Sequence, residues 1–483
     1  MANRKLIGIA SAMNPLPSLK AKAWALSAAS DHRVDVEIVE SALEMPLNAP
    51  TARIGEGDRK VTAFLAAREL QKAGCEAMIL ADIRAMPFLE EIQKQVEIPV
   101  ISLFTKMLER IRKEDVKKVA LMGTAVDRAY YEKLLAKHFG DTVELLPNTE
   151  AQLAVFARMQ NPETGFRKVG LTQELADTLL DVGEELVEAG ADLIIPNCTQ
   201  LARFVEEFRV EGLPLEDILR DAAEIAVLDT PAYLPKPFKV GMIGGLGPAA
   251  TVDLYDKIVK ATPAKIDQEH IKLVVEQNPQ IPDRTACLLN GAEDPTLALF
   301  NCAKRMEEDG CDALIIPCNT AHAFIPYMER FLKVPFINMQ QAALDEIKAK
   351  LGDKARIGLL ATTGTVKTGI YSDKAKAMEL AMFVPGTERQ ERVMAAIYGP
   401  KGAKAGYTDG ICREDLLSAA EELVREHGCN CLILGCTELP LILDESDDFE
   451  VAGAHVVVID PTAALARRVV KTAEAAFEKT GVR

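Results

Sequence analysis

Two stretches decide the fold, Ile315-Ile-Pro-Cys-Asn-Thr-Ala-His322 and Leu432-Ile-Leu-Gly-Cys-Thr-Glu-Leu439. In each, a short aliphatic run leads into a turn that contains a cysteine. Unbroken apolar runs of this length are typical of strands that are covered on both faces, as in parallel sheets. Similar runs alternate with amphipathic stretches such as Leu416–His427, which predicts an α/β fold with mostly parallel sheets. The other runs are Ala77–Ala81, Val119–Met122, Leu193–Pro196, Val240–Ile243 and Ile357–Leu360.

The first half of the chain resembles the second. Five ordered segments match, and the offsets between matched residues lie between 231 and 238 residues. The pairs are Leu6–Pro15 with Val240–Pro248, Gly74–Leu80 with Gly310–Ile316, Ile98–Ile101 with Val334–Ile337, Ile195–Leu201 with Leu434–Leu439, and Val227–Asp229 with Val458–Asp460. Ordered matches at a nearly constant offset indicate two tandem copies.

A proline-rich segment separates the two copies. Pro231-Ala-Tyr-Leu-Pro-Lys-Pro237 has the composition of an extended, exposed connector. We therefore predict one domain over residues 1–232 and a second over residues 237–483. Within the second copy, Val240–Gly245 and Ile357–Gly364 both run from a strand into a Gly/Thr-rich turn. Each copy is accordingly expected to contain two pseudo-symmetric α/β lobes.

Composition excludes several classes of protein. Ten cysteines in 483 residues are too sparse for a disulfide scaffold. A formal charge of −16 disfavours nucleic-acid partners. No stretch approaches the ~20 apolar residues of a membrane helix, and Leu6–Ala10 is interpreted as a buried strand rather than a targeting signal. We expect a cytoplasmic protein without a membrane partner, and the absence of Cys-x-x-Cys and His-Glu-x-x-His spacings argues against a zinc site.

The chemistry is expected at the ends of two strands in the second copy. Ligands of open α/β sheets bind beyond the carboxyl ends of the strands, where Cys318 and Cys436 stand. Asn319 or Thr320, and Thr437, are predicted to cap helices that begin there. A helix N-terminus favours a thiolate and binds a carboxylate. Two thiols on opposite faces of a carbon that bears a carboxylate suit proton removal on one side and delivery on the other.

These residues resemble the aspartate/glutamate racemase family, and in particular its aspartate-racemase branch. The resemblance covers Lys239 to the C-terminus. It rests on Ile243-Gly-Gly-Leu-Gly-Pro248, Asn278-Pro-Gln-Ile-Pro-Asp-Arg-Thr285, Pro317-Cys-Asn-Thr-Ala-His322 and Gly435-Cys-Thr-Glu-Leu-Pro440. It implies racemisation without a cofactor, using neither pyridoxal phosphate nor a metal, with Cys318 and Cys436 as the two acid/base residues.

The resemblance also implies the residues that bind the substrate. Its α-carboxylate would bind Asn319, Thr320 and Thr437, and its side-chain carboxylate would bind Arg284. Further contacts would come from Thr362, Thr365 and Lys404. The Gly-Cys-Thr-Glu sequence, in place of Gly-Cys-Thr-His, favours aspartate as the substrate. Two neighbours are interpreted from position alone: His322 either assists Cys318 or packs, and Glu438 is assigned a structural role.

The first copy departs from this pattern. Cys198 corresponds to Cys436, but Asp82 stands where the second copy has Cys318, and no counterpart of Asn278–Thr285 is evident. We therefore favour a degenerate domain that does not racemise, although a carboxylate can act as a base.

Alternatives remain open at this level. The second copy could be a related cysteine-dependent isomerase or racemase of a small dicarboxylate or hydantoin. The first copy could be a ligand-sensing regulatory module, or could cover a surface that a single-copy relative buries in a homodimer. The sequence fixes neither the exact acidic amino acid, nor the pathway, nor whether the chain forms a homo-oligomer.

Overall fold

A computed structural model describes residues 3–11, 19–20, 22–23, 26, 34–42, 56–123, 128–159, 161, 165, 170–198, 201–229 and 231–482. The chain forms two compact units, Met1–Leu234 and Pro235–Arg483. The boundary between them falls inside the proline-rich segment that the sequence analysis singled out. Part of the first-copy match, residues 12–15 and 199–200, lies outside the described residues.

The first unit contains two parallel sheets. One has the order β2-β1-β3-β4, and the other has the order β6-β5-β7. The strands are β1 (Asn3–Ser11), β2 (Val34–Ala42), β3 (Ala77–Leu80), β4 (Val100–Ile101), β5 (Lys118–Met122), β6 (Glu144–Leu145) and β7 (Leu193–Pro196). The α-helices are Glu56–Lys72, Leu89–Gln93, Thr105–Lys113, Arg128–Phe139, Glu150–Met159, Gln173–Glu188, Val205–Val210 and Ile218–Leu228. Short 3₁₀ helices span Ile83–Phe88 and Leu201–Phe204.

The second unit also contains two sheets, with orders β10-β8-β9 and β12-β11-β13-β15-β14. Its strands are β8 (Lys239–Gly244), β9 (Lys272–Gln277), β10 (Ala313–Ile315), β11 (Arg356–Leu360), β12 (Ala381–Phe383), β13 (Cys431–Leu434), β14 (Ser446–Val451) and β15 (Ala454–Ile459). All the pairings are parallel except that of β14 with β15. The predicted lobes and mostly parallel sheets are therefore confirmed.

Helices surround these two sheets. The α-helices are Pro248–Ala261, Arg284–Asn290, Thr296–Glu308, Ile325–Met328, Met339–Leu351, Thr363–Lys367, Ser372–Ala377, Thr387–Tyr398, Ile411–His427 and Pro461–Thr480. The 3₁₀ helices are Asp267–Glu269, Thr320–Phe324, Glu329–Phe331, Gly352–Lys354, Ala403–Ala405 and Leu439–Leu441.

Burial of whole strands in the core explains why their sequences are unbroken apolar runs. Every residue of β7 and of β13 is buried, which is expected for parallel strands that are covered on both faces. The helix Met339–Leu351 links the lobes of the second unit, because Met339 packs in the cluster around β8 whereas Leu344 packs in the cluster around β11. The strand ends of the two lobes are thereby held in fixed positions.

One of the sequence matches between the copies is wrong. Asp229 follows the C-terminal end of the helix Ile218–Leu228, whereas Asp460 caps the N-terminus of Pro461–Thr480. The structural counterpart of Asp460 is Asp217, which caps the helix Ile218–Leu228 through the backbone N–H of Arg220. Each of the two caps also forms an ion pair with a lysine. Lys22 lies 2.5 Å from Asp217, and Lys257 lies 2.5 Å from Asp460.

Within the described residues, no helix is both long enough and apolar enough to cross a membrane.

Candidate active site

Cys318 and Cys436 line one cavity of the second unit. Cys318 lies three residues beyond β10, and Cys436 lies two residues beyond β13, so each thiol stands past the carboxyl end of a fully buried strand. The empty space between the lining residues is about 290 Å³, part of which is open to solvent. It is also lined by Leu246, Arg284, Thr285, Asn319, Thr320, Thr362, Tyr398, Lys404, Thr437 and Glu438. The structure thus brings together all the predicted contacts except Thr365 and His322.

Of the helix caps predicted beside the thiols, Asn319 does stand at the N-cap position of Thr320–Phe324, but Thr437 is wrong, because Glu438 precedes the helix Leu439–Leu441. Asn319 precedes a short 3₁₀ helix, and its side chain makes no capping hydrogen bond. Its Oδ1 instead accepts hydrogen bonds from the Tyr371 hydroxyl at 2.7 Å and from Gln340 Nε2 at 3.2 Å. The Thr437 hydroxyl is engaged likewise, since it lies 3.3 Å from Glu438 Oε2. The 3₁₀ helices that follow the thiols, Thr320–Phe324 and Leu439–Leu441, are short, so the helix dipole that was expected to activate the thiols is small.

Glu438 lies between Cys436 and Lys404. The Cys436 thiol donates to Glu438 Oε2 at 3.0 Å, and Lys404 Nζ donates to Glu438 Oε1 at 2.7 Å. Burial and the negative charge of Glu438 raise the pKa of Cys436 well above its ordinary value. Burial lowers the pKa of Lys404, but Glu438 outweighs that effect and raises it overall. The arrangement therefore holds Cys436 as a protonated thiol beside a carboxylate.

Arg284 lies beside the other thiol. Burial disfavours its charge, but Cys318 and Asp283 act in the opposite direction and the pKa of the guanidinium is raised. Its terminal nitrogens donate to the carbonyls of Leu246 at 3.1 Å and Pro282 at 3.0 Å. These bonds fix the plane of the guanidinium beside Cys318.

Two buried N–H donors of the cavity have no partner among the described residues. They are Nε of Arg284 and Nδ2 of Asn319. Leaving a buried donor without a hydrogen bond costs roughly 1–3 kcal/mol, so such donors mark a place where a ligand supplies the acceptors. Because Lys404 also lines this cavity, the site suits a small anion such as a carboxylate. Arg284 and Lys404 give the cavity local positive charge in a chain whose formal charge is −16.

Three threonine hydroxyls join the two lobes beside the cavity. Thr320 Oγ1 lies 2.9 Å from Thr365 Oγ1 and 3.3 Å from Thr362 Oγ1. Thr362 also caps the helix Thr363–Lys367 through the backbone N–H of Thr365. Thr365 is therefore one layer behind the cavity wall, where it holds Thr320 and Thr362 in place.

His322 supports the backbone of Cys318 and does not line the cavity. Burial lowers the pKa of His322 to about 4, so the ring is neutral near pH 7. Its Nε2 accepts from the backbone N–H of Met339 at 3.3 Å, which leaves the proton on Nδ1. Nδ1 then donates to the Cys318 carbonyl at 2.9 Å. Of the two interpretations offered for this residue, the contacts favour packing and positioning.

In the first unit, Asp82 is used as a helix cap. It follows β3, and its carboxylate accepts from the backbone N–H of Arg84 at 2.9 Å at the start of the helix Ile83–Phe88. Cys198 follows β7 and packs against the apolar cluster that contains Leu201.

Sequence reasoning missed four residues of the cavity wall. Leu246 and Thr285 stand inside two of the motifs that carry the resemblance but were given no role, and Tyr398 carries no local signal because it reaches the site from a helix distant in the chain. Glu438 was assigned a structural role, yet it contacts Cys436 directly. A signal did exist there, since an acidic residue two positions after a strand-end cysteine lies within reach of the thiol.

Comparisons with known proteins agree with this architecture. The Asp/Glu/Hydantoin racemase family model matches residues 12–226 and 243–469. The broad specificity amino-acid racemase RacX of Bacillus subtilis is 24% identical over 241 residues, which cover 48% of this chain and 97% of RacX. The glutamate racemase of Desulforudis audaxviator is 32% identical over 33% of this chain, and the match spans only 55% of that enzyme.

A solved structure is similar as well. The Picrophilus torridus aspartate racemase has 31% sequence identity, covers 51% of this chain over 95% of its own length, and gives a TM-score of 0.40. The two regions matched by the family model together span most of the chain. The chain therefore belongs to the Asp/Glu/Hydantoin racemase family, as a tandem pair of racemase-like copies.

Proposed function

We propose that the second unit racemises an acidic amino acid, with aspartate as the favoured substrate, and that it uses neither pyridoxal phosphate nor a metal. The observation that carries this proposal is one cavity lined by two strand-end thiols together with unpartnered N–H donors. Relatives named for aspartate and for glutamate support an acidic substrate, and a broad-specificity relative supports an amino acid in general.

The two thiols differ in their surroundings, and this difference suggests their starting roles. Cys318 lies beside a fixed cation, the Arg284 guanidinium, and we assign it the role of the base that acts first. Cys436 lies beside the Glu438 carboxylate and is suited to begin as a thiol. The Cys318 thiolate takes the α-proton from one face of the substrate. The Cys436 thiol then gives its proton to the opposite face, which inverts the centre and leaves Cys318 protonated and Cys436 ionised.

The anion-binding groups serve this step in two ways. Asn319, Thr320 and Thr437 would hold the α-carboxylate, where added negative charge develops as the α-proton leaves. Arg284 and Lys404 would hold the side-chain carboxylate. Three hydrogen bonds from the terminal nitrogens of Arg284 already go to backbone carbonyls, so the free Nε–H is the donor we assign to substrate.

The first unit is proposed to be a domain that does not racemise. The carboxylate of Asp82 already caps a helix, and a carboxylate occupied in this way is a poor general base. A regulatory or a scaffolding role is compatible with this contact.

The test is incubation of the full chain with L-aspartate in deuterated water without added cofactor. We expect deuterium at Cα, detected by mass spectrometry, and the appearance of D-aspartate, detected by chiral chromatography. Glutamate, asparagine and alanine serve as comparison substrates. If no acidic amino acid shows either deuterium or inversion, the proposed function is wrong.

A further inference from the structure

Each unit contains the same pair of packed helices. A connecting helix lies, in sequence, between the strands of the two sheets of its unit, Thr105–Lys113 in the first unit and Met339–Leu351 in the second. The last helix of each unit, Ile218–Leu228 or Pro461–Thr480, packs against the connecting helix of the same unit. One chain therefore carries two versions of one helix pair.

The apolar faces of the two last helices are alike. Buried apolar residues stand six and nine positions after the capping aspartate in both helices, as Ala223 and Ala226 in the first unit and as Ala466 and Val469 in the second. Burial of apolar surface is not directional, so this match does not distinguish one helix from the other. In chains with repeated domains, exchange of equivalent elements between the copies is a characteristic form of misfolding.

In the second unit, the connecting helix carries the acidic groups and the last helix carries the basic groups. Arg467 donates to both carboxylate oxygens of Glu346, at 2.7 and 2.8 Å. Arg468 pairs with Asp345 on the same two helices. Arg467 also pairs with Glu445 at 2.8 Å, so its guanidinium is held between two carboxylates.

The first unit has the opposite arrangement of charge. Lys106 of the connecting helix pairs with Glu224 of the last helix, and its ammonium lies 3.6 Å from the carboxylate of Asp229, which follows that helix. Arg110 of the connecting helix donates to Glu216, two residues before the last helix, at 2.6 Å. Here the connecting helix is basic and its partner is acidic.

The reversal occurs at equivalent positions. Glu224 and Arg467 each stand seven residues after the cap of their helix. Arg110 and Glu346 are separated by 236 residues, the offset that also relates the strand segments before them. If the last helix of the second unit took the place of its counterpart, Arg467 would face Lys106. The converse exchange would place Glu224 against Glu346.

We propose that the reversed charges direct each last helix to the connecting helix of its own unit, and so suppress exchange of this helix between the two copies during folding. Stability alone does not explain the reversal, because ion pairs of either polarity stabilise a unit equally and partly exposed pairs contribute little. Discrimination is larger, because an exchanged helix loses a favourable pair and gains a repulsive one. The proposal does not depend on the proposed racemisation.

Reversal of one ion pair tests the proposal in the full chain. Lys106→Glu combined with Glu224→Lys keeps an ion pair in the first unit but gives both units the same polarity. We expect the recovery of native protein on dilution from urea, measured by size-exclusion chromatography, to fall by at least about threefold. Lys60→Glu combined with Glu91→Lys is the matched control, because it reverses a pair at 2.8 Å between two other helices of the same unit. Recovery of the control should match that of the starting protein.

Reversal of the second unit as well should restore recovery. When Glu346→Lys, Glu445→Lys and Arg467→Glu are added to the first two changes, the units again differ in polarity. We expect recovery to return to within about twofold of the starting protein. Unchanged recovery in the first variant, or equal losses in that variant and in the control, would overturn the proposal. A loss that the second-unit reversal does not rescue would assign the effect to lowered stability and would also overturn it.

Discussion

The two copies share a fold but use the same strand ends differently. In the second unit, the turns after β10 and β13 place Cys318 and Cys436 on one cavity. In the first unit, the turn after β3 places Asp82 on the backbone N–H of Arg84, where it caps a helix. The first copy thus has a helix-capping carboxylate, Asp82, at the position where the second copy has a thiol, Cys318, that lines the cavity.

The elements that hold each copy together are retained in both. The pairs Lys22–Asp217 and Lys257–Asp460 each join a lysine to an aspartate that caps a helix, at 2.5 Å in both units. This repetition shows that the scaffold and the thiol pair can vary separately. It also predicts where substitutions in the two copies will have unequal effects.

The largest difference should come from the cysteines. We expect Cys318→Ala or Cys436→Ala to lower kcat for racemisation by about a thousandfold or more, because each removes a general acid/base. Cys198→Ala, the matched change in the first copy, should leave kcat within about twofold. Chiral chromatography of the product measures all three. A large loss in the Cys198 variant would show that the first copy takes part in the reaction.

Arg284 should have the next largest effect, since the first copy has no evident counterpart. We expect Arg284→Lys to lower kcat/KM for aspartate about a hundredfold, because lysine cannot bind the backbone carbonyls and the substrate together. Arg305→Lys is the control, because Arg305 is half exposed and pairs with Glu276. Similar losses from both changes would argue against a role for Arg284 in binding.

The stability of the first unit should depend on pH through Glu216. Burial and neighbouring Asp221 raise the pKa of Glu216 from 4.5 to about 8. The folded state therefore keeps a proton on Glu216 that the unfolded state releases. The contribution of Glu216 to the free energy of unfolding is fully present below pH 4.5 and is lost as the pH rises towards 8. We expect a slope of at most about 1.4 kcal/mol per pH unit.

Glu216→Gln should flatten this slope. Urea unfolding between pH 5 and 8, followed by the fluorescence of the single tryptophan, Trp24, measures it in the first unit. An unchanged slope in the variant would show that another group is responsible.

Gly247→Ala should reduce activity by about tenfold, a smaller change than the loss of a thiol. Gly247 has a φ of +123°, and an added Cβ would press on Glu438, so we expect a lower kcat with little change in KM. Gly291→Ala is the matched control, because Gly291 has a φ of +64° and nothing within 4 Å of the added atom. Equal effects on kcat would assign the loss to backbone strain alone.

The smallest effect should come from Asp82. Loss of the cap in Asp82→Ala should destabilise the first unit by about 1 kcal/mol, and Asp82→Asn should recover most of it. Racemisation should be unaffected by either change. A loss of activity in both variants, without a loss of stability, would make Asp82 a base rather than a cap.

Much of this could be predicted from the sequence because burial leaves a simple record. Strands such as β7 and β13 are buried on both faces, so unbroken apolar runs located them. Cys318 and Cys436 could be predicted to stand at strand ends because each directly follows an apolar run in the sequence. The match of Asp229 with Asp460 failed because it followed a constant offset, whereas the cap of the first copy lies at Asp217.

What could not be predicted depends on partners distant in the chain. The acidic run Asp444–Glu450 has the composition of a solvated loop, but most of it lies in β14, where exposed acidic side chains suit the edge of a sheet. Asn319 stands at an N-cap position as expected, yet its side-chain oxygen accepts a hydrogen bond from Tyr371 and does not cap the helix. Glu438 was assigned a structural role because its partner Lys404 lies 34 residues away in the sequence. Only the folded chain brings the two side chains together.

The most direct test of the central claim is the choice of enantiomer by each single-thiol variant. We expect Cys318→Ala to exchange the α-proton of one enantiomer of aspartate in deuterated water, Cys436→Ala to exchange that of the other, and neither variant to invert the centre. Exchange of the same enantiomer by both variants, or inversion that persists in either, would contradict a mechanism with one thiol on each face of the substrate.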